Sequence, residues 1–311
     1  MQDGPQPITF VVVVFEAEVD LLLLQARSFV RHCDPALVDQ IIIFDQSRPA
    51  LSAKWQRRIV DAFGPFADLV RIFPAQGETD GWTQQQILKL TAAEQVQTDY
   101  YVALDAKTHL TAPLARSAFF GADGRAHLRR YSYLGHPMES KVRTTLNWLS
   151  LDPELINTEL PATTTPFLFV TTETKALVRS VSEEAGKPFA EVFRDEGLIE
   201  FPLYSLWLKK QGRLDSLYAS TPIECSTVWA RYTSAADLRG VLVQPSPEPV
   251  FAAIHRSAVG RLTLPAMLFL ATWWKQHGLF NRTSSALWFL ARMRLRISIW
   301  RLRQLRSRSG G

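Results

Sequence analysis

The stretch that decides the fold is GWTQQQILKLTAAEQVQTDYYVALDAKTHLTAP, residues 81–113. Its first part has helical spacing (i, i+3, i+4, i+7), which puts four side chains on one face: Trp82, Gln85, Gln86 and Lys89. Residues 100–104 then form a run of aromatic and branched side chains, which predicts a strand covered on both faces. Asp105 follows this strand directly. Because ligands of open α/β sheets bind beyond the carboxyl ends of the strands, Asp105 is a candidate site residue.

Strand-like and helix-like segments alternate on both sides of this stretch. The run ITFVVVVF, residues 8–15, predicts a central parallel strand, and Asp20 is the expected cap of the helix after it. Further strands are expected at 39–44, 68–73, 127–133, 166–170, 214–218 and 250–254, and further helices at about 51–63, 139–149, 173–184 and 201–211. This alternation predicts an α/β fold with a mostly parallel, doubly wound central sheet flanked by helices.

Charge is distributed unevenly along the chain. Residues 249–311 contain eleven Lys and Arg and no acidic residue, which leaves 24 basic and 30 acidic side chains in residues 1–248. The sequence therefore predicts a mildly acidic body, residues 1–260, and a basic tail, residues 261–311, that meets an anionic surface. The acidic body and the lack of a recognition motif argue against nucleic acid as the partner.

The tail combines aromatic and basic side chains. Residues 264–274 read LPAMLFLATWW, and residues 286–308 mix tryptophan and phenylalanine with seven arginines. Leu, Met, Ala and Arg favour helix. Aromatic residues beside arginines suit the surface of an anionic membrane. The alternative is a helical pair that packs on the body and has a basic outer face.

The cysteines and the N-terminus indicate a cytoplasmic protein. Two cysteines, Cys33 and Cys225, provide neither a disulfide framework nor metal spacing. The first apolar run is followed by Glu16 and Glu18 and is expected to be a strand, not an export signal. The expected location is the cytoplasm, with peripheral contact at the inner face of the plasma membrane. No glycine-rich phosphate loop occurs, which argues against a kinase or a dinucleotide oxidoreductase.

The pattern W-x-x-Q-Q-x-x-K-L, followed by D-Y-Y-V-A-L-D-A-K-x-H, resembles a poorly characterised family of bacterial glycosyltransferase-like proteins with the type A nucleotide-sugar fold. By the order of its elements the resemblance covers roughly residues 8–256. It implies transfer of a sugar from a nucleoside diphosphate-sugar to a glycan or lipid-linked acceptor in surface polysaccharide synthesis. Most type A enzymes end this strand in Asp-x-Asp, whose carboxylates hold a divalent metal and the nucleotide-sugar. Here Lys107 replaces the second carboxylate.

This replacement leaves the role of a metal open. Asp105 could still bind Mn²⁺ or Mg²⁺, and the resemblance implies that His255 is a further ligand and that Arg256 lies near the diphosphate. Alternatively, Lys107 supplies the positive charge and the reaction needs no metal. A third interpretation is a plain ion pair, since a spacing of two on an extended chain places both side chains on one face.

The resemblance also assigns roles around the predicted cavity. Phe15, Glu16 and Asp45 stand where the first two strands end and resemble the places where type A enzymes hold the base and ribose. The alternative is that the two acids are solvated loop residues. Three side chains of the helical face would line the donor pocket or only fix the helix to the sheet: Gln85, Gln86 and Lys89.

Two carboxylates, Asp195 and Glu200, precede an aromatic helix, and the resemblance implies that a carboxylate in this place lies near the acceptor. Glu200 could act as a general base, or the acidic residues could only match the dipole of that helix. The competing functions are a non-catalytic nucleotide- or glycan-binding protein of the same fold and a peripheral membrane scaffold.

Overall fold

The structure is a computed structural model that describes residues 6–75, 81–243 and 249–309, with side chains as far as residue 303. The loop expected at 76–80 and the turn expected around Pro245 and Pro247 lie outside the described residues. The strands are β1 (Ile8–Val14), β2 (Val38–Asp45), β3 (Val70–Pro74), β4 (Tyr100–Asp105), β5 (Thr108–Leu110), β6 (Ala126–His127), β7 (Arg130–Ser132), β8 (Glu159–Pro161), β9 (Phe167–Val170), β10 (Tyr218–Ala219), β11 (Cys225–Val228) and β12 (Phe251–Ile254). The helices are α1 (Val19–His32), α2 (Ala53–Ala62), α3 (Gly81–Thr91), α4 (Glu139–Trp148), α5 (Thr171–Ala185), α6 (Phe189–Asp195), α7 (Glu200–Lys210), α8 (Leu214–Leu217), α9 (Ala235–Leu242), α10 (Arg256–Val259), α11 (Leu264–Gln276) and α12 (Thr283–Ser309).

The central sheet has the strand order β3-β2-β1-β4-β9. The first four strands are parallel, and β9 is antiparallel to β4. Every residue of β1 is buried, because helices cover both faces of a central strand. The predicted α/β fold with a mostly parallel sheet is confirmed.

A second, smaller sheet continues from the end of β4. The turn Asp105-Ala106-Lys107 leads into β5, which pairs antiparallel with β12, and β12 pairs in parallel with β11. The backbone N–H of Ile254 also donates to the carbonyl oxygen of Lys107. This pairing brings the end of β12, and therefore His255, to the turn that carries Asp105.

The C-terminal helices share a hydrophobic cluster with the body. Leu24 of α1 and Ile254 of β12 belong to the same buried cluster as Trp274 of α11 and Phe289 of α12. The predicted tail therefore packs on the body, as in the alternative of a C-terminal helical pair. No helix among residues 6–75, 81–243 and 249–309 is long and apolar enough to cross a membrane.

Several local expectations were wrong. Asp20 is not a helix cap but a buried residue inside α1, where its carboxylate pairs with Arg292 and Arg296 of α12. Residues 214–217 are helical, and only Tyr218 and Ala219 form a strand there. The expected strand at 127–133 is divided into β6 and β7. β5, β11 and α9 were not predicted, because elements of three, four and eight residues are too short to show a clear period.

Candidate functional site

A cavity of about 1220 Å³ opens at the carboxyl edge of the central sheet. The ends of β1 and β4 lie beside each other there, since Val13 of β1 is the register partner of Asp105. The lining combines aromatic rings with charged groups: Phe15, Trp82, Trp229 and Trp300 with Glu16, Glu18, Lys89, Asp105, Lys107, Glu200, Arg231 and Arg256. Such a mixture of flat apolar faces and a few polar groups is typical of a small-molecule site.

Asp105 is the centre of the charge network in the cavity. One carboxylate oxygen accepts from the Lys89 ammonium at 2.9 Å and from the Gln85 amide at 3.3 Å. The other accepts from the Lys107 ammonium at 2.5 Å. Burial alone would raise the pKa of Asp105, but the charges of Lys107 and Lys89 outweigh it and hold that pKa below its ordinary value. The carboxylate is therefore ionised and surrounded by donors.

A buried glutamine holds the turn that carries Asp105. The side-chain amide of Gln25, in α1, donates to the backbone carbonyl oxygens of Asp105 at 3.1 Å and Thr108 at 2.7 Å. Ser28, one turn later in the same helix, accepts a hydrogen bond from the N–H of Leu110. These hydrogen bonds from α1 hold the turn in place, because buried backbone N–H and C=O groups need hydrogen-bond partners.

Glu200 enters the cavity from the first turn of α7. Its carboxylate lies 3.4 Å from the Lys89 ammonium, and its backbone N–H donates to the side-chain oxygen of Gln86. Burial raises the pKa of Glu200, although the charge of Lys89 opposes the shift. The pKa of Lys89 is raised in turn, since Asp105 and Glu200 outweigh the effect of its burial. A buried carboxyl group with a raised pKa is a candidate proton acceptor.

Five side chains from distant parts of the sequence form one wall of the cavity: Phe15, Glu16, Glu18, Arg256 and Trp300. The Arg256 guanidinium pairs with Glu18 at 2.9 Å and lies over the rings of Phe15 and Trp300. The indole N–H of Trp300 donates to Glu16. Burial raises the pKa of Glu18, and Arg256 opposes this shift. The last helix therefore completes the wall beside the exit of β1.

His255 caps α10 at the edge of the same cavity. Its Nδ1 accepts from the backbone N–H of Ser257 at 3.2 Å. Burial and the charges of Lys107 and Arg256 lower the pKa of His255 to about 4, so the ring is neutral near pH 7. Since Nδ1 is the acceptor, the neutral ring carries its proton on Nε2 and presents a donor.

The residues expected to bind a divalent metal do not fit one. Both oxygens of Asp105 accept from lysine ammonium groups, and the Nδ1 lone pair of His255 accepts from Ser257. A metal ion bound to Asp105 would lie beside two lysine charges that repel it, and it would face the N–H of His255 and not a lone pair. Among the described parts of the chain, no group of three or more His, Cys, Asp and Glu side chains is arranged to hold a metal ion.

Two of the predicted site residues lie away from this cavity. Asp45 is buried after β2, where its oxygens accept from the backbone N–H groups of Ser47 and Leu51 and so shape a turn. Asp195 is exposed at the end of α6 and pairs with Lys187 at 3.5 Å. The other predicted residues line the cavity: Phe15, Glu16, Gln85, Lys89, Asp105, Lys107, Glu200, His255 and Arg256.

Four residues that line or support the site were not predicted from the sequence: Gln25, Trp229, Arg231 and Trp300. Trp229 follows β11, which was not predicted, and the centre of its ring lies 5.7 Å from the Lys107 ammonium. Trp300 sits in a segment that was expected to face a membrane. Gln25 alone carried a usable signal, because a polar residue inside an apolar helix face indicates a buried hydrogen bond.

The mostly parallel sheet flanked by helices matches the fold of solved type A glycosyltransferases. An active-site mutant of LgtC is similar over 85% of this chain and 94% of its own, with a TM-score of 0.51 and 11% identity. The bifunctional glycosyltransferase WbbM matches 81% of this chain (TM-score 0.47, 11% identity), and GlyE from Streptococcus pneumoniae TIGR4 matches 93% (TM-score 0.45, 14% identity). The matches span 46% of the WbbM chain and 64% of the GlyE chain.

The chain belongs to DUF6492, a family of unknown function whose model matches residues 5–233. No curated protein matches the sequence.

Proposed function

We propose that this protein transfers a sugar from a nucleoside diphosphate-sugar to a hydroxyl group of a glycan or lipid-linked acceptor. The observation that carries the proposal is the cavity at the carboxyl edge of the sheet, where Asp105, Lys107 and Glu200 meet. The type A glycosyltransferase fold supports the same reaction class. Synthesis of a surface polysaccharide would supply such an acceptor.

The donor would occupy the side of the cavity near β1. Phe15 and Trp300 offer flat rings for a base, and the carboxylate of Glu16 can accept hydrogen bonds from ribose hydroxyls. Lys107 and Arg256 carry the positive charge that a leaving diphosphate requires. Gln85 and Lys89 both donate to one carboxylate oxygen of Asp105 and so fix its position in this subsite.

Glu200 would act on the acceptor. The acceptor oxygen forms a bond to the anomeric carbon, the bond from that carbon to the diphosphate oxygen breaks, and the acceptor proton passes to Glu200. Nucleoside diphosphate leaves with the electron pair. The raised pKa of Glu200 suits this role, because a general base works best when its pKa lies near the working pH. Asp195 has no part in this scheme because it lies outside the cavity.

The runner-up function is binding without catalysis. The observation that favours it is that Asp105 already accepts hydrogen bonds from Gln85, Lys89 and Lys107. Since Lys107 takes the place of the second aspartate, there is no carboxylate pair of the Asp-x-Asp type. Such a protein would bind a nucleotide-sugar or a glycan and release no nucleoside diphosphate.

We further propose that α12 holds the protein on an anionic membrane, at the cytoplasmic face. Four large apolar side chains on one face of this helix are exposed and form an apolar stripe: Trp288, Leu295, Ile299 and Leu302. Their spacing of 7, 4 and 3 residues keeps them aligned. Residues 249–311 contain eleven Lys and Arg and no Asp or Glu, so the segment suits an anionic surface. A lipid-linked acceptor would meet the enzyme there.

The function is tested by incubating the full chain with a panel of UDP-, GDP-, CDP- and dTDP-sugars and measuring release of nucleoside diphosphate. We expect release from at least one donor, faster with a glycan or lipid-linked acceptor. Asp105→Ala should abolish it, whereas Asp61→Ala should not, because Asp61 is exposed on α2 and does not line the cavity. Binding of a donor without any release would favour the runner-up function.

A further inference from the structure

We infer that Lys107, together with Arg256 and the Nε2–H group of His255, binds the diphosphate of the donor through hydrogen bonds, and that no divalent cation bridges the diphosphate to Asp105. This inference rests on the proposed function. It assigns to nitrogen donors the work that a metal does in Asp-x-Asp enzymes.

The carboxylate that would hold the metal is already occupied. Asp105 is enclosed by two ammonium groups, at 2.9 Å from Lys89 and 2.5 Å from Lys107. A divalent cation bound to either oxygen would lie within a few ångströms of a lysine charge and would displace it. Like charges about 4 Å apart repel each other far more strongly where water is excluded than in bulk water.

His255 presents a hydrogen-bond donor where a metal would need a lone pair. Its Nδ1 accepts from the N–H of Ser257, and a backbone N–H can only donate. The neutral ring must therefore carry hydrogen on Nε2, the other ring nitrogen. A donor in this place suits a phosphate oxygen and does not suit a metal ion.

Lys107 has the capacity to bind an anion while it stays paired with Asp105. An ammonium group has three N–H donors, and the described contacts of Lys107 use one of them, toward Asp105. Its side chain is largely buried and lies over the Trp229 ring, which limits its freedom. The remaining donors can bind an anionic oxygen without rearrangement of the ion pair.

The two cations lie in one part of the cavity. The backbone N–H of Ile254 donates to the carbonyl oxygen of Lys107, and Arg256 follows two residues after Ile254. Lys107 and Arg256 both line the cavity. A diphosphate that enters here would therefore meet the ammonium group of the Lys107–Asp105 pair, the guanidinium of the Arg256–Glu18 pair and one neutral donor. Asp105 is a positioning residue in this arrangement, because it orients the ammonium groups that face the ligand.

The test measures binding of UDP, GDP, CDP and dTDP to the full chain by calorimetry, once in excess EDTA and once in excess MnCl₂. We expect at least one nucleotide to bind with the same dissociation constant in both. Lys107→Met should weaken this binding by about ten-fold or more, since a charge-assisted hydrogen bond is lost. Lys107→Arg should retain most of it. Lys187→Met is the matched control, because Lys187 pairs with an aspartate outside the cavity.

Each outcome distinguishes the inference from the proposed function. Binding in EDTA that depends on the charge at position 107, in a variant whose circular dichroism is unchanged, supports the inference. Binding that requires Mn²⁺ overturns it and leaves the proposed sugar transfer intact. Absence of binding to every nucleotide in both conditions overturns the inference together with the proposed function.

Discussion

The indole N–H of Trp300 donates a hydrogen bond of 2.8 Å to a carboxylate oxygen of Glu16, 284 residues earlier in the chain. The centre of the Trp300 ring also lies 5.7 Å from that of Phe15, and the Arg256 guanidinium lies over both rings. The final helix is thus part of the wall of the cavity, on the side where β1 ends. A segment whose composition indicates a membrane surface also contributes to the candidate donor site.

We expect Trp300→Ala to weaken nucleotide binding by about ten-fold, because the substitution removes an aromatic face and a cation–π partner. The measurement is calorimetric titration with the nucleotide that binds the unmodified chain. Leu302→Ala is the control on the same helix, since Leu302 is exposed on its outer face. Equal affinities for the two variants would show that Trp300 only supports the helix.

Glu200→Gln should lower kcat by about a hundred-fold or more, as expected for loss of a general base. The KM for the donor should change little, because the amide keeps the shape of the side chain. Burial raises the pKa of Glu200 above its ordinary value of 4.5, so the activity of the unmodified enzyme should fall on the acid side at a pH above that value. A pH–rate profile of the variant that kept this acid limb would assign the base elsewhere.

The apolar stripe of α12 predicts how the protein meets lipid. Leu295→Glu should reduce sedimentation with phosphatidylglycerol vesicles, because a leucine at the lipid interface is replaced by a charge that the anionic surface repels. Leu134→Glu provides the control, since Leu134 is 54% exposed and lies outside the C-terminal helices. Little of the unmodified protein or of either variant should sediment with vesicles of pure phosphatidylcholine. Unchanged sedimentation of the Leu295 variant would discard the membrane role of the stripe.

His109 predicts a loss of stability in acid. The side chain is buried, and Nε2 accepts from the indole N–H of Trp274. Burial lowers the pKa of His109 from 6.5 to about 3. The unfolded chain therefore takes up a proton at a higher pH than the folded chain, and protonation favours unfolding as the pH falls from 6.5 toward 3.

A His109→Gln variant tests this linkage, because its amide oxygen can accept the same hydrogen bond but does not titrate. Urea unfolding over that pH range should show the unmodified protein losing stability faster than the variant. Parallel pH dependences would mean that His109 does not contribute to the loss.

Much of the candidate site could be predicted from one stretch of sequence, because its parts are close in the chain. Gln85 and Lys89 share a helix face, and Asp105 and Lys107 share a turn, so local periodicity already placed them together. The resemblance to type A glycosyltransferases, and not local periodicity, pointed to Glu200 before its aromatic helix. Asp45 and Asp195 had equally suitable local patterns, but one shapes a turn and the other faces solvent.

The sequence by itself determined the buried strands, the helices between them and the split between an acidic body and a basic tail. These features depend on periodicity and composition over a few residues, which act before the chain is compact. The tertiary structure alone decided that Asp20 pairs with arginines of α12, that Gln25 holds the Asp105 turn and that Trp300 closes the cavity. These contacts join segments far apart in the chain, and their partners are chosen by how helices and sheet bury their apolar faces together.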